Sequence, residues 1–131
     1  MVAYSFHEQF IAPALTGSKT GTLRRDRKRH ARPGENLQLY VAQRTRNCRL
    51  WGFATCTRVR PIILNLDTGW VLYPCTGDAL ADHHGLDAFA IADGFETWGK
   101  LTQFWTRHHP GVAEFAGVHI QWGDTIVAAD A

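Results

Sequence analysis

The sequence has no apolar run near the ~20 residues that a membrane-spanning helix needs. Its opening, MVAYSFHEQF, lacks the basic start and long apolar stretch of a secretory signal. A cytoplasmic location with no membrane partner is therefore the default expectation. Cysteine is scarce: Cys48, Cys56 and Cys75 are the only three, and no CxxC pair occurs. An odd, scattered set fits a reducing compartment and supplies no disulfide framework. There is no internal repeat and no low-complexity segment. With 131 residues, the chain has room for one core. Its hydrophobic share of 45% against 20% charged is that of a folded protein rather than a disordered one.

Acidic residues are sparse in one half. Residues 1–60 carry 12 Lys and Arg against only Glu8, Asp26 and Glu35, a surplus of nine. Residues 61–131 carry Lys100 and Arg107 against nine acids. The formal net charge of +2 is thus a cancellation. So strong an asymmetry suggests a polyanion-facing side.

Residues 6–16 read as a short helix, with Phe6, Phe10, Ile11 and Leu15 on one stripe and Gly17 as the stop. Thr20, Thr22 and Arg24 alternate with Gly21 and Leu23 and suggest a short strand. Residues 25–32 are too charged to be buried and read as a surface loop closed by the Pro33-Gly34 turn. Asn36–Ala42 alternates and reads as a strand, Leu50–Leu64 as one or two strands, and Gly69–Tyr73 as a weaker one. Asp82–Ala92 reads as a helix. A second helix carries Phe95, Trp98, Leu101 and Trp105 to about His109, where Pro110-Gly111 ends it. Val118–Gly123 and Thr125–Ala128 give the last strands. This order predicts an α+β, mainly β fold: a small β-barrel with an N-terminal helix and two helices before the last strands.

The densest chemistry lies in Gly17-Ser-Lys-Thr-Gly-Thr-Leu-Arg24. A glycine turn presents Lys19, and a strand then presents Thr22 and Arg24 on one face. An ammonium, a hydroxyl and a guanidinium together suit an anion or a polar base edge. A desolvated Lys19 beside Arg24 would also lose basicity and could serve as a base toward Thr22. The plain alternative is a polar strand with exposed basic ends.

Phe6 to Arg24, written F-x-x-x-F-I-x-x-x-L-x-G-x-K-T-x-T-x-R, resembles the opening of the ASCH domain family. Pro33-Gly34-Glu-Asn-Leu-Gln-Leu-Tyr40 is similar to the family's Pro-Gly-acid step into a strand. Ala90-Ile-Ala-Asp-Gly-Phe95 is similar to its step between two helices. The resemblance implies a PUA-like barrel over residues 1–131, with a cleft that takes RNA or a nucleotide or nucleoside. It also implies two activities as alternatives: an amidohydrolase of N4-acylated cytidine and a ribonuclease. On the amidohydrolase pattern the lysine falls on Lys19, the threonine on Thr22 and the acid near Asp93, with Glu96 as a second candidate. Aspartate at that place reaches one methylene less far than the family's glutamate. No metal or other cofactor is implied.

The basic run adds Arg25, Arg27, Lys28, Arg29 and Arg32 to Lys19 and Arg24 as candidate RNA contacts. Arg44, Arg46 and Arg49 could extend that patch. Tyr40 and Trp51 are open to base stacking, whereas Phe53, Trp98, Phe104 and Trp105 are expected in the core. Cys48 and Cys56 read as buried or half-buried strand cysteines. His83-His84 and His108-His109 match no zinc spacing and read as helix-end residues. No protein partner is indicated, although the acidic C-terminal part could meet a basic one.

Overall fold

The computed structural model describes residues 1–129. Val2, Tyr4 and Phe6 point inward and Ala3 and Ser5 outward, forming strand β1 (Val2–Phe6). The helix expected over residues 6–16 is correspondingly shorter. Phe6 belongs to β1, Glu8–Phe10 is a 3-10 turn, and only Ile11–Thr16 is α-helical (α1). Parallel pairing of β1 on a later strand outweighs the local helical spacing there, and Leu15, expected on the apolar stripe, is exposed.

The remaining strands are β2 (Gly21–Arg24), β3 (Asn36–Val41), β4 (Arg49–Thr55), β5 (Arg58–Asn65), β6 (Trp70–Tyr73), β7 (Asp78–Leu80), β8 (Glu114–Gln121) and β9 (Val127–Ala128). Helices α2 (His83–Ala92) and α3 (Trp98–His108) precede β8. Each begins at a side-chain cap: Asp82 accepts the Gly85 N–H at 3.0 Å, and Thr97 accepts the Lys100 N–H at 3.1 Å. The mixed α+β, mainly β composition is as expected.

The strands form two sheets, ordered β1-β3-β4-β9 and β2-β8-β5-β6-β7. Among the described residues these do not close into one hydrogen-bonded barrel, which corrects that part of the expectation. The chain turns from one sheet to the other between β4 and β5, where the Thr57 N–H donates to the Gln121 carbonyl at 2.8 Å. Strand β1 edges the first sheet and β2 edges the second. A side chain spans them: Arg24 of β2 donates to the Ser5 carbonyl of β1 at 2.7 Å.

One core packs Tyr4, Phe6, Phe10, Leu39, Trp51 and Trp122 on the first sheet. The other packs Ile62, Leu64, Val71, Phe89, Leu101 and Trp105 between the second sheet and the helices. Phe95 and Phe104 pack against both cores. Trp51, which the sequence leaves open, is buried, and Phe53, expected in the core, is only half-buried. The β3–β4 register slips between Leu39 and Tyr40, so Trp51 is a bulged extra residue and turns inward beside the buried Gly52. Cys48 is also exposed, in the turn before β4, whereas Cys56 is buried.

Candidate functional site

The cavity opens at the seam between β1 and β2, where the two cores meet. Its volume is about 580 Å³, the size of a small-molecule pocket rather than a groove for a duplex. Lys19, Thr22, Arg24 and Asp93 all line it, with Phe6, Phe10, Phe95 and Phe104 as apolar walls.

Local backbone chemistry brings Lys19 there. Gly17 ends α1 in the left-handed region (φ 91°), the Lys19 N–H returns to the Pro13 carbonyl at 2.9 Å, and the Thr20 N–H donates to the Ala92 carbonyl at 2.9 Å. This last bond ties the turn to the end of α2, beside Asp93. Gly94 follows at φ +103°, and a Cβ there would lie 2.9 Å from Phe10 Cδ1 and 3.0 Å from Lys19 Cδ. Glycine is therefore what lets the Lys19 stem pass the helix end.

Lys19 is 2% exposed and Asp93 6%. The Lys19 ammonium donates to the Asp93 backbone carbonyl at 2.7 Å and lies 3.6 Å from the carboxylate Oδ1. It sits over the Phe10 ring at 4.9 Å and near Phe6 and Trp122 at 5.6 and 5.8 Å. Burial disfavours both charges and drives the two groups toward each other in basicity. Lys19 is lowered to about 8 by burial, against the pull of Asp93, with Arg24 lowering it further. Asp93 is raised to about 6 by burial, against Lys19 and Arg24. Arg24, lowered to about 10 by burial, keeps its charge at neutral pH. Its Nε donates to Thr22 Oγ1 at 3.2 Å, and its guanidinium lies 4.6 Å from the Phe6 ring centroid. Thr22 thus keeps its hydroxyl proton free.

The basic loop divides. Arg25 and Arg27 line the mouth; Arg27 also lies over Tyr4 at 4.7 Å. Lys28, Arg29 and Arg32 lie outside the lining: the Arg29 guanidinium is held 2.6 Å from Glu35, and the Arg32 N–H donates to Glu35 at 2.8 Å. Tyr40, on β3, and the exposed Glu96 also lie outside it. The loop is pinned by Tyr4, whose hydroxyl accepts the Ala31 N–H at 3.1 Å and meets His30 Nδ1 at 3.0 Å. His30 Nε2 faces the Arg25 carbonyl at 2.8 Å. A carbonyl only accepts, so Nε2 carries a proton; in the neutral ring Nδ1 then accepts from Tyr4.

Sequence reasoning missed His7, His108 and His109, which all line the cavity. Nothing in their spacing signals this, because β1 and the end of α3 meet only in the folded chain. It also missed the buried His119, bonded to Tyr73 Oη at 2.8 Å and pushed down to about 3 by burial and then by Arg60. His119 belongs to the packing behind β2. Among the described residues no group of three or more His, Cys, Asp or Glu is arranged to hold a metal.

No protein-family model and no curated protein matches the sequence. Two solved structures do match in fold. The crystal structure of ASCH from Zymomonas mobilis superposes with a TM-score of 0.51 at 15% identity, covering 98% of this chain and 66% of that one. A point mutant of the Zymomonas mobilis protein gives 0.52 at 14% identity, covering 98% and 73%. At such identities the likeness concerns the fold, and the fold is of the ASCH type.

Proposed function

We propose that this ASCH-type fold binds RNA, or a nucleotide or nucleoside, in the seam cleft, with Arg25 and Arg27 at its mouth. The observation that carries the reading is a single cavity with aromatic walls, a buried ammonium–carboxylate pair on its floor and guanidinium groups at its rim. Flat apolar walls suit a base, and the floor can donate and accept at a base edge. Arginines suit phosphate oxygens. Lys28, Arg29 and Arg32, outside the lining, would act on chain beyond the cleft.

The test is RNA affinity at two salt concentrations, before and after neutralising Arg25 and Arg27. Binding that weakens with salt, and weakens less steeply in the variant, supports the reading. Binding without salt dependence, or unchanged in the variant, overturns it.

A second reading, hydrolysis of an N4-acylated cytidine, is favoured by the contact between Lys19 and Asp93. Their displaced basicities place a proton donor and a proton acceptor side by side near neutral pH. In this reading the neutral fraction of Lys19 takes a proton from Thr22 or from a water. The freed oxygen attacks the acyl carbon, and charge grows on the acyl oxygen near Arg24. The carbon–nitrogen bond then breaks as Asp93 passes the proton gained by Lys19 to the leaving cytosine nitrogen; where Thr22 is the attacker, a water, with Lys19 again as base, then hydrolyses its acyl ester, freeing the carboxylic acid and the hydroxyl. Incubation with N4-acetylcytidine should release cytidine and acetate, and Lys19→Ala or Asp93→Asn should abolish release. No turnover by the unaltered protein removes this reading and leaves the binding one. Shortening of the RNA during titration would favour the nuclease alternative.

A further inference from the structure

The catalytic and base-binding readings leave the histidines at the cleft mouth unused. His7 stands just before the 3-10 turn, and His108 ends α3. Their ring centroids lie 4.7 Å apart. Phe104 backs both, at 5.3 Å from His7 and 4.2 Å from His108. Both rings are exposed at the cavity. Among the described residues neither makes a hydrogen bond or an ion pair within the protein, unlike His30, His119 and His83.

We infer that His7 and His108, with Arg25 and Arg27, form a phosphate subsite, which takes the phosphate of the nucleotide whose base enters the cleft. The inference rests on the cleft reading above and assigns its mouth. Two imidazoles in contact resist charging together, and each gains a proton more readily when an anion lies between them and solvent. The surroundings point the same way. Burial lowers the basicity of both His7 and His109; His108 and then Arg24 lower His7 further, and Arg25 and then His108 lower His109 further. From the β2 side the mouth also carries His30, and Asp26 is its one carboxylate. The other carboxylate of the cavity, Asp93, is engaged with Lys19 on the floor. Outside the lining, Glu8 beside His7 is paired with Arg49 at 3.3 Å, and Arg107 beside His108 adds a cation. An anion arriving here meets a surplus of donors. The rear of the same cavity is lined by apolar rings that would hold an uncharged base.

The experiment is titration calorimetry with cytidine and with cytidine 5′-(methyl phosphate). This diester keeps one negative charge between pH 5 and pH 8, so any change with pH belongs to the protein. The diester should bind more tightly than cytidine by about tenfold near pH 5.5, as charge-assisted hydrogen bonds give. That advantage should shrink by at least about threefold toward pH 8, because imidazole as a class changes charge within this range. In His7→Asn/His108→Asn the fall of that advantage toward pH 8 should become shallower, retaining the arginine share and the part that Lys19 and Asp93 contribute on the floor; both positions are exposed, and circular dichroism checks the variant's fold. Equal affinity of the two ligands, or an unchanged pH course in the variant, overturns the subsite while cytidine binding preserves the cleft reading. Binding of neither ligand overturns both. A short cytidine oligonucleotide that binds more tightly than the diester, with the same pH course, assigns the phosphate to an RNA chain; weaker binding assigns it to a free nucleotide.

Discussion

Replacing Lys19 by methionine tests the buried pair directly. The change removes the ammonium that donates to the Asp93 carbonyl and neutralises its carboxylate. Asp93 then stays buried with Arg24 as its remaining cationic neighbour. Removing one partner of a buried ion pair costs about 3–5 kcal/mol. The pH course separates this cause from a loss of packing. Asp93 titrates near 6 in the folded protein, against about 3.9 in an unfolded chain. A raised carboxyl means that the native state holds the proton more tightly, so stability falls as pH rises between those values. Without Lys19 the folded value climbs further, and the fall continues above pH 6 at up to about 1.4 kcal/mol per pH unit. The deficit against the unaltered protein should therefore open above about pH 6 and close near pH 5, where both native states hold Asp93 neutral.

Asp93→Asn gives the opposite course. Lys19 is lowered to about 8, so the native state binds fewer protons than the unfolded chain, and stability falls as pH drops toward the folded value. Without Asp93 that value drops further. The deficit should open below about pH 8 and close above it. The assay is urea unfolding at about pH 5, 7 and 9, followed by the fluorescence of the five tryptophans. Deficits that are the same at all three pH values in both variants would refute the reasoning.

Three further outcomes are expected. Gly94→Ala combines a positive φ with a Cβ 2.9 Å from Phe10 Cδ1 and 3.0 Å from Lys19 Cδ, so it should cost at least about 2 kcal/mol in urea unfolding. Tyr4→Phe removes the acceptor of the Ala31 N–H and the partner of His30, and should cost about 1–3 kcal/mol, with faster hydrogen exchange at Ala31 as the local readout. If the cleft binds single-stranded RNA, neutralising Arg25 and Arg27 should lower the slope of log affinity against log salt by about 0.7 for each phosphate that the variant no longer neutralises.

The parts of the fold written in local chemistry are legible in the sequence. Asp82 and Thr97 cap α2 and α3, and Gly17 stops α1 where a stop is expected. Strand β1 is not, although Val2, Tyr4 and Phe6 alternate, because Phe6 and Phe10 also fit a helical stripe. Parallel pairing with β3 decides between the two periods, and such pairing leaves no local trace. The bulge at Trp51 likewise turns Trp51 into the core and leaves Phe53, expected there, half-buried. In the site, Lys19, Thr22 and Arg24 share one turn and strand, so their grouping can be read directly. Asp93 lies 74 positions from Lys19 and is reached only through the family resemblance. The seam itself is invisible in the sequence, because it exists where two sheets fail to pair. His7 and His108 belong to it for that reason alone.

Binding at the seam cleft is tested by amide chemical-shift mapping of the labelled protein during titration with a short RNA and with cytidine 5′-phosphate. Shifts should concentrate at residues 19–27, 93–95 and 104–109, around the seam between β1 and β2. No shifts with either ligand, or shifts gathered instead around Phe53 and Val127 on the far side of the first sheet, would contradict it.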